Sequence, residues 1–237
     1  MNILLIAGHG AGDPGAIGNG YKEADLTREV VSLVKSRLAK YASVDIADTA
    51  KNWYNHIVKN GNGFNFRSYN YVLEVHFNAG ASDSSGNGKT TGTEIFVTTS
   101  EKGVTVEESI VNGISSLGFR NRGVKYKNWG LINHIKSQGV SSALLEVCFI
   151  DDKDDMKLYS EKKAQIADAI VKGIVEGFGL ATEPEPEAKP EEKATPGTWS
   201  KESWDKAVAK GILDGTNPQG TVTREMLAVV LDRLGLI

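Results

Sequence analysis

The sequence predicts an α/β fold: a mostly parallel twisted sheet with helices on both faces, followed by a small helical C-terminal unit. Three observations carry this. Short β-rich runs alternate with amphipathic helical patterns over residues 1–180, a stretch rich in Pro and Glu follows at 181–197, and two short helical patterns close the 237-residue chain.

The β-rich runs are Asn2 to Ala7, Ser43 to Ala47, Tyr71 to Phe77, Thr93 to Thr98 and Ser142 to Val147. Between them, Leu26, Val30, Leu33, Val34 and Leu38 share one helical face, and so do Val106, Ile110, Ile114 and Leu117. Ile166, Ile170, Val171, Ile174 and Phe178 mark a third helix that stops at Gly179. Residues 1–180 therefore read as one domain. The segment 181–197 holds four prolines among five glutamates and no large apolar residue, so it reads as an extended, self-repelling linker. In residues 198–237, Ser200 is placed to cap a helix carrying Trp204, Ala207 and Val208, and Thr223 to cap one carrying Leu227, Val230, Leu231 and Leu234. Two such helices are a marginal unit that calls for a second copy or a surface to rest on.

Composition excludes several classes. The formal charge of −3 arises in the linker, while the flanking segments balance, so no basic face for nucleic acid is expected. No stretch is long and apolar enough to span a membrane. Ile3 to Ala7 lacks the basic flank and length of a signal peptide and reads as a buried strand. The single cysteine, Cys148, rules out an intrachain disulfide and is compatible with synthesis in a reducing compartment.

Four residues stand out as chemistry. His9, in Gly8-His9-Gly10, falls where the first strand ends, and the carboxyl ends of parallel strands are where α/β sheets bind ligands. His76, in Val75-His76-Phe77-Asn78-Ala79, ends another apolar strand. Glu23 precedes the first helix and would complete a His, Glu, His set, a three-ligand zinc site with one position left for water. Glu146 lies inside the apolar run Leu144-Leu145-Glu146-Val147, where an ionised carboxylate costs several kcal/mol unless paired. A metal site beside it would make it a general acid/base. Glu74 shares a strand face with His76, so it either orients that ligand or faces solvent. Arg67 and Asn78 are candidate substrate contacts because they flank the His76 strand, whereas His56 and His134 read as surface residues.

These motifs, in order, resemble the zinc-dependent N-acetylmuramoyl-L-alanine amidases of the Amidase_3 type, a family that includes phage endolysins and bacterial autolysins. The resemblance rests on Gly8-His9-Gly10 with Asp13-Pro14-Gly15-Ala16, Glu23 and His76-Phe77-Asn78-Ala79, then on Gly92-Thr93-Glu94-Ile95-Phe96, Arg122-Gly123-Val124-Lys125 and Leu145-Glu146-Val147-Cys148-Phe149-Ile150. It implies one Zn2+ bound by His9, Glu23 and His76, with Glu146 catalytic. The implied substrate is the bacterial peptidoglycan amide between N-acetylmuramic acid and L-alanine. Ala7, where the family often has an acid, and Glu74, where a small residue is usual, are departures. The tail resembles part of an S-layer-homology repeat in Lys210-Gly211-Ile212-Leu213-Asp214-Gly215 and Val222-Thr223-Arg224-Glu225, which implies a cell-wall polymer as partner, with homodimer formation as the alternative. With no export address visible, the expectation is a phage endolysin made in the host cytoplasm and acting on the cell wall, with a bacterial autolysin as the alternative.

A dinucleotide-binding protein is the rival reading, from Gly10-Ala11-Gly12-Asp13-Pro14-Gly15 after a strand. That fingerprint should open directly into a helix, but Gly18 and Gly20 prolong the loop, and Asp13 would set a negative charge beside the pyrophosphate.

Overall fold

The computed structural model describes residues 1–180, 195–213, 224–233 and 235–236. It divides into two compact units, Met1–Glu183 and Pro184–Ile237.

In the first unit, β1 (Asn2–Ala7) leads through a small hairpin, β2 (Ile17–Gly18) and β3 (Tyr21–Lys22), into α1 (Glu23–Leu38) and β4 (Ser43–Ile46). A π-helical turn at Tyr54–Lys59 and a 3-10 turn at Phe66–Ser68 precede β5 (Tyr71–Asn78). Then come β6 (Thr93–Val97), α2 (Thr105–Ser115), β7 (Asn121–Tyr126), α3 (Gly130–Ser137), β8 (Ser141–Phe149) and α4 (Lys153–Phe178). The main sheet runs β4-β1-β5-β8-β6-β7. The first four strands are parallel, while β6 lies antiparallel to β8 and parallel to β7. The sheet is thus mostly parallel with a reversed edge pair, and that reversal brings the N-terminal ends of β6 and β7 to the carboxyl edge of the other four.

The period-two alternation sorts the side chains. Odd-numbered β5 residues Tyr71, Leu73, Val75 and Phe77 join Leu145 and Ile95 in the thick core under α1, α2 and α4. Even-numbered residues face the other side, where Val72, Leu4 and Ile6 pack on Trp53, Phe66, Leu131 and Ile135, and Leu144 and Phe96 pack on Ile132. This second cover stops short of the carboxyl edge, and there the even-numbered positions become polar: Glu74, His76, Glu94 and Glu146.

β7 and α3 are absent from the sequence expectation. Asn-Arg-Gly-Val-Lys-Tyr shows no apolar alternation because an edge strand needs little, and α3 is only eight residues long. The third helix is longer than its apolar stripe suggested. Asp152 caps it by accepting from Asp154 N and Asp155 N, Lys162 interrupts it, and Gly179 in the left-handed conformation (φ 61°) ends it. The loop after β5 is fastened to this helix start, with Asp151 accepting from the backbone of Gly80, Ala81 and Ser82, and Asp154 from Asn87 and Gly88.

The second unit contains α5 (Lys201–Ala209) and α6 (Arg224–Arg233). No residue of α5 is buried, and Trp199 just before it is 92% exposed. Residues 181–194 of the expected linker and the expected cap Thr223 lie outside the described residues. No described helix is long and apolar enough to cross a membrane.

Candidate metal centre

His9, Glu23 and His76 converge at the carboxyl edge of β1 and β5, each offering a donor atom within 4.8 Å of the others. Each arrives by a different local device. His9 follows β1 in the left-handed conformation, φ 61°, which costs a non-glycine residue about 1–3 kcal/mol. Its carbonyl accepts from Arg28 Nη2 at 3.2 Å. Glu23 begins α1, and its carboxylate is fixed from two sides, Ala16 N donating to Oε2 at 2.9 Å and Phe77 N to Oε1 at 3.0 Å. His76 is the sixth residue of β5, on its even-numbered face.

The facing atoms are His9 Nε2, 3.1 Å from Glu23 Oε2, and His76 Nδ1, 2.9 Å from Glu23 Oε1. Each remaining ring nitrogen meets a second carboxylate. His9 Nδ1 lies 2.9 Å from Asp13 Oδ2, and His76 Nε2 lies 3.1 Å from Glu74 Oε1. Asp13 is itself held by Asn52 Nδ2 at 2.8 Å. A carboxylate on the far nitrogen fixes the tautomer and plane of a ligating imidazole, so the set fits a divalent ion such as zinc. Burial pushes both histidines down, but their carboxylate partners outweigh it and raise them above the ordinary range, while the same contacts hold Glu23 well below the usual carboxylate range despite its burial.

Glu146 is the register partner of His76 across β5 and β8 and is 7% exposed. Its Oε2 is buried and has no hydrogen-bond partner among the described residues. Burial, with a smaller push from Glu23, Glu94 and Glu74 against the pull of His76, raises it to about 7. A carboxyl poised there can accept and return a proton near neutral pH. Beside the centre opens a cavity of about 270 Å3, lined by His9, Glu74, His76, Tyr54, Trp129 and Leu131 among others.

The other predicted positions separate. Asn78 is on the site face, its Nδ2 donating to Glu94 Oε1 at 2.7 Å. Glu74 is buried against His76 and does not face solvent. Arg67 is not brought to the centre: it precedes β5, at the opposite edge of the sheet, and its Nε donates to the Gln138 carbonyl at 3.3 Å. Closeness in sequence to a strand says nothing about which end of that strand a residue occupies. His56 packs edge-on to Trp53 and His134 pairs with Gln138, both apart from the triad. Sequence reasoning missed Asp13 and Asn52. Asp13, four residues after His9, was a detectable signal, but Asn52 contacts it only through the tertiary fold.

The segment 10–15 forms a turn, with Gly10 and Asp13 bridged, and leads into the β2–β3 hairpin, so no helix N-terminus opens there for a pyrophosphate. Fold and donor set together define an α/β protein with a candidate mononuclear metal centre at its sheet edge. Residues 3–176 match the family described as N-acetylmuramoyl-L-alanine amidase, and the chain belongs to that family. It is 28% identical over 183 residues to the endolysin of Bacillus phage SPP1, a match covering 74% of this chain and 64% of that protein. It is 27% identical over 168 residues to the N-acetylmuramoyl-L-alanine amidase LytC of Bacillus subtilis, covering 69% of this chain and 33% of that protein. The chain thus spans less than two thirds of either relative's length. Its fold is similar to that of the N-acetylmuramoyl-L-alanine amidase AmiC2 of Nostoc punctiforme, with a TM-score of 0.60 and 20% identity over 76% of this chain and 97% of that one.

Proposed function

We propose that this protein is a zinc-dependent hydrolase of bacterial peptidoglycan that cleaves the amide between N-acetylmuramic acid and the L-alanine of the stem peptide. His9, Glu23 and His76 hold the ion, and Asp13 and Glu74 keep the two imidazoles in the ligating tautomer. When bound, zinc supplies a Lewis acid for the amide carbonyl and lowers the pKa of water to roughly 7. Glu146 takes the proton from the attacking water and returns it to the departing nitrogen of alanine. Its carboxyl, buried beside His76 with one oxygen unpartnered among the described residues, is the single observation that carries this reading. One relative is named an endolysin and another is a bacterial amidase, and the proposed cut serves either setting. The second unit is proposed to hold a cell-wall polymer.

The test is mass spectrometry of digested peptidoglycan, where intact stem peptides with N-terminal alanine are expected. Fragments cut within the glycan or within the peptide would overturn the assignment. Glu146→Gln should retain zinc near one equivalent and the wild-type fold while losing roughly 100- to 10,000-fold in rate. Undiminished turnover in that variant would remove Glu146 from the chemistry.

A further inference from the structure

The reversed edge of the sheet presents two cations to the site. Arg122 Nε donates to Glu94 Oε2 at 2.6 Å, and Lys125 Nζ pairs with the same oxygen. Asn78 takes the other oxygen of Glu94. Glu94 is the register partner of Glu146, one strand spacing of about 5 Å away, and its two cations come from β7, one strand further out.

Two features separate this cluster from simple neutralisation of Glu94. One carboxylate meets two cations, which leaves an excess of one positive charge. The exposures are also unequal, the Glu94 side chain at 4% against 27% for Arg122 and 39% for Lys125, so the anion is buried and the cations face outward. The Arg122 guanidinium lies over the Phe149 ring, 4.9 Å from its centroid, which fixes its plane. Among the described residues, no hydrogen bond engages its terminal nitrogens, and a guanidinium anchored at Nε with its outer edge open suits a carboxylate.

Resting on the amidase reading, we propose that Arg122 and Lys125 form a carboxylate subsite that selects substrates bearing an acidic residue close to the cut on the peptide limb. The chemistry of the substrate picks the limb. On the sugar side the N-acetyl group is neutral and the lactyl carboxyl is consumed in the scissile amide, so charge near the cut comes from the peptide. An extended peptide advances about 3.3–3.6 Å per residue, so the second residue after the cut, with its own side chain, can span the two strand spacings, about 10 Å, between Glu146 and β7.

The experiment compares two synthetic muramyl dipeptides, identical except that the second residue carries a free carboxylate in one and a carboxamide in the other. The full-length zinc-loaded protein is assayed as wild type, Lys125→Gln and Lys125→Arg. Wild type should favour the acid by about tenfold or more in kcat/KM, expressed in KM, the scale of one charge-assisted hydrogen bond. Lys125→Gln should bring that ratio towards 1, and Lys125→Arg should restore it. By calorimetry, the free acidic dipeptide should bind wild type more tightly than its amide. A wild type without preference, or a Lys125→Gln loss equal on both substrates, overturns the subsite and leaves the amidase reading intact. A zinc-loaded wild type that cleaves neither substrate overturns the amidase reading itself.

Discussion

Gly8 and Gly15 are glycine because ligand side chains occupy the space where a Cβ would stand. A Cβ on Gly8 would lie 2.4 Å from His76 Cε1, and one on Gly15 would lie 2.6 Å from Glu23 Oε2 at a backbone φ of 66°. The His76 ring cannot swing aside without losing Glu23 or Glu74, one on each ring nitrogen. Gly8→Ala should therefore lower zinc affinity by roughly 10- to 100-fold, the range seen when a ligating histidine loses its support, with circular dichroism unchanged. Chelator competition measures it, and wild-type affinity would show that the ring has room to move. Glu94 gives a second prediction. Burial pushes its carboxyl up, but Lys125 and Arg122 outweigh this and hold it below the unfolded value near 4.5. A depressed folded pKa contributes stability above pH 4.5, and that contribution is lost as pH falls through the folded value. Glu94→Gln should cost on the order of 2 kcal/mol at pH 7 and less at pH 3, read from urea unfolding at each pH. A cost independent of pH would mean that the ion pairs do not stabilise the fold.

Among the elements, α2 and α4 pack so closely that side chains are excluded at the contact. A Cβ on Gly173 would lie 2.7 Å from Ile110 N, and one on Gly177 would lie 2.7 Å from the Cα of Val106. These are backbone atoms of α2 and cannot rotate away. Gly173→Val should force the helices apart and cost about 1–3 kcal/mol by overpacking, seen as a lower Tm. An unchanged Tm would mean that this helix pair has slack. The same scale shows why part of the site was legible and part was not. The apolar runs before His9 and His76 marked strand ends directly, and a charge inside Leu144-Leu145-Glu146-Val147 was conspicuous in any register. The direction of β6 and β7 was not legible, since alternation is the same whichever way a strand runs. Without that direction Glu94, Arg122 and Lys125 could not be assigned to the site edge.

For the whole molecule, the division at Glu183 and Pro184 predicts independent behaviour. Ending the chain after Glu183 should leave the rate on a soluble muramyl peptide within about twofold of the full chain, because the triad, Glu146 and the β7 cations all lie in the first unit. If the second unit holds a wall polymer, the same truncation should reduce co-sedimentation with purified walls. Equal sedimentation of both proteins would remove that role from residues 184–237.

By itself the sequence determined where the apolar strands and the longer helical faces lie, because the two periodicities are local and each is written in a few adjacent residues, whereas the edge strand β7 and the short α3 left no such pattern. It also singled out two histidines at strand ends, a glutamate at a helix start and a glutamate out of place inside an apolar strand. Tertiary structure decided that those four meet, that Asp13 and Glu74 lie behind the imidazoles, and that Arg67 faces the far edge while Arg122 faces the site. The physical reason is that a side chain's direction follows from its own residue's conformation, whereas its partner follows from the order and sense of strands, which is fixed only when the whole sheet closes over one core.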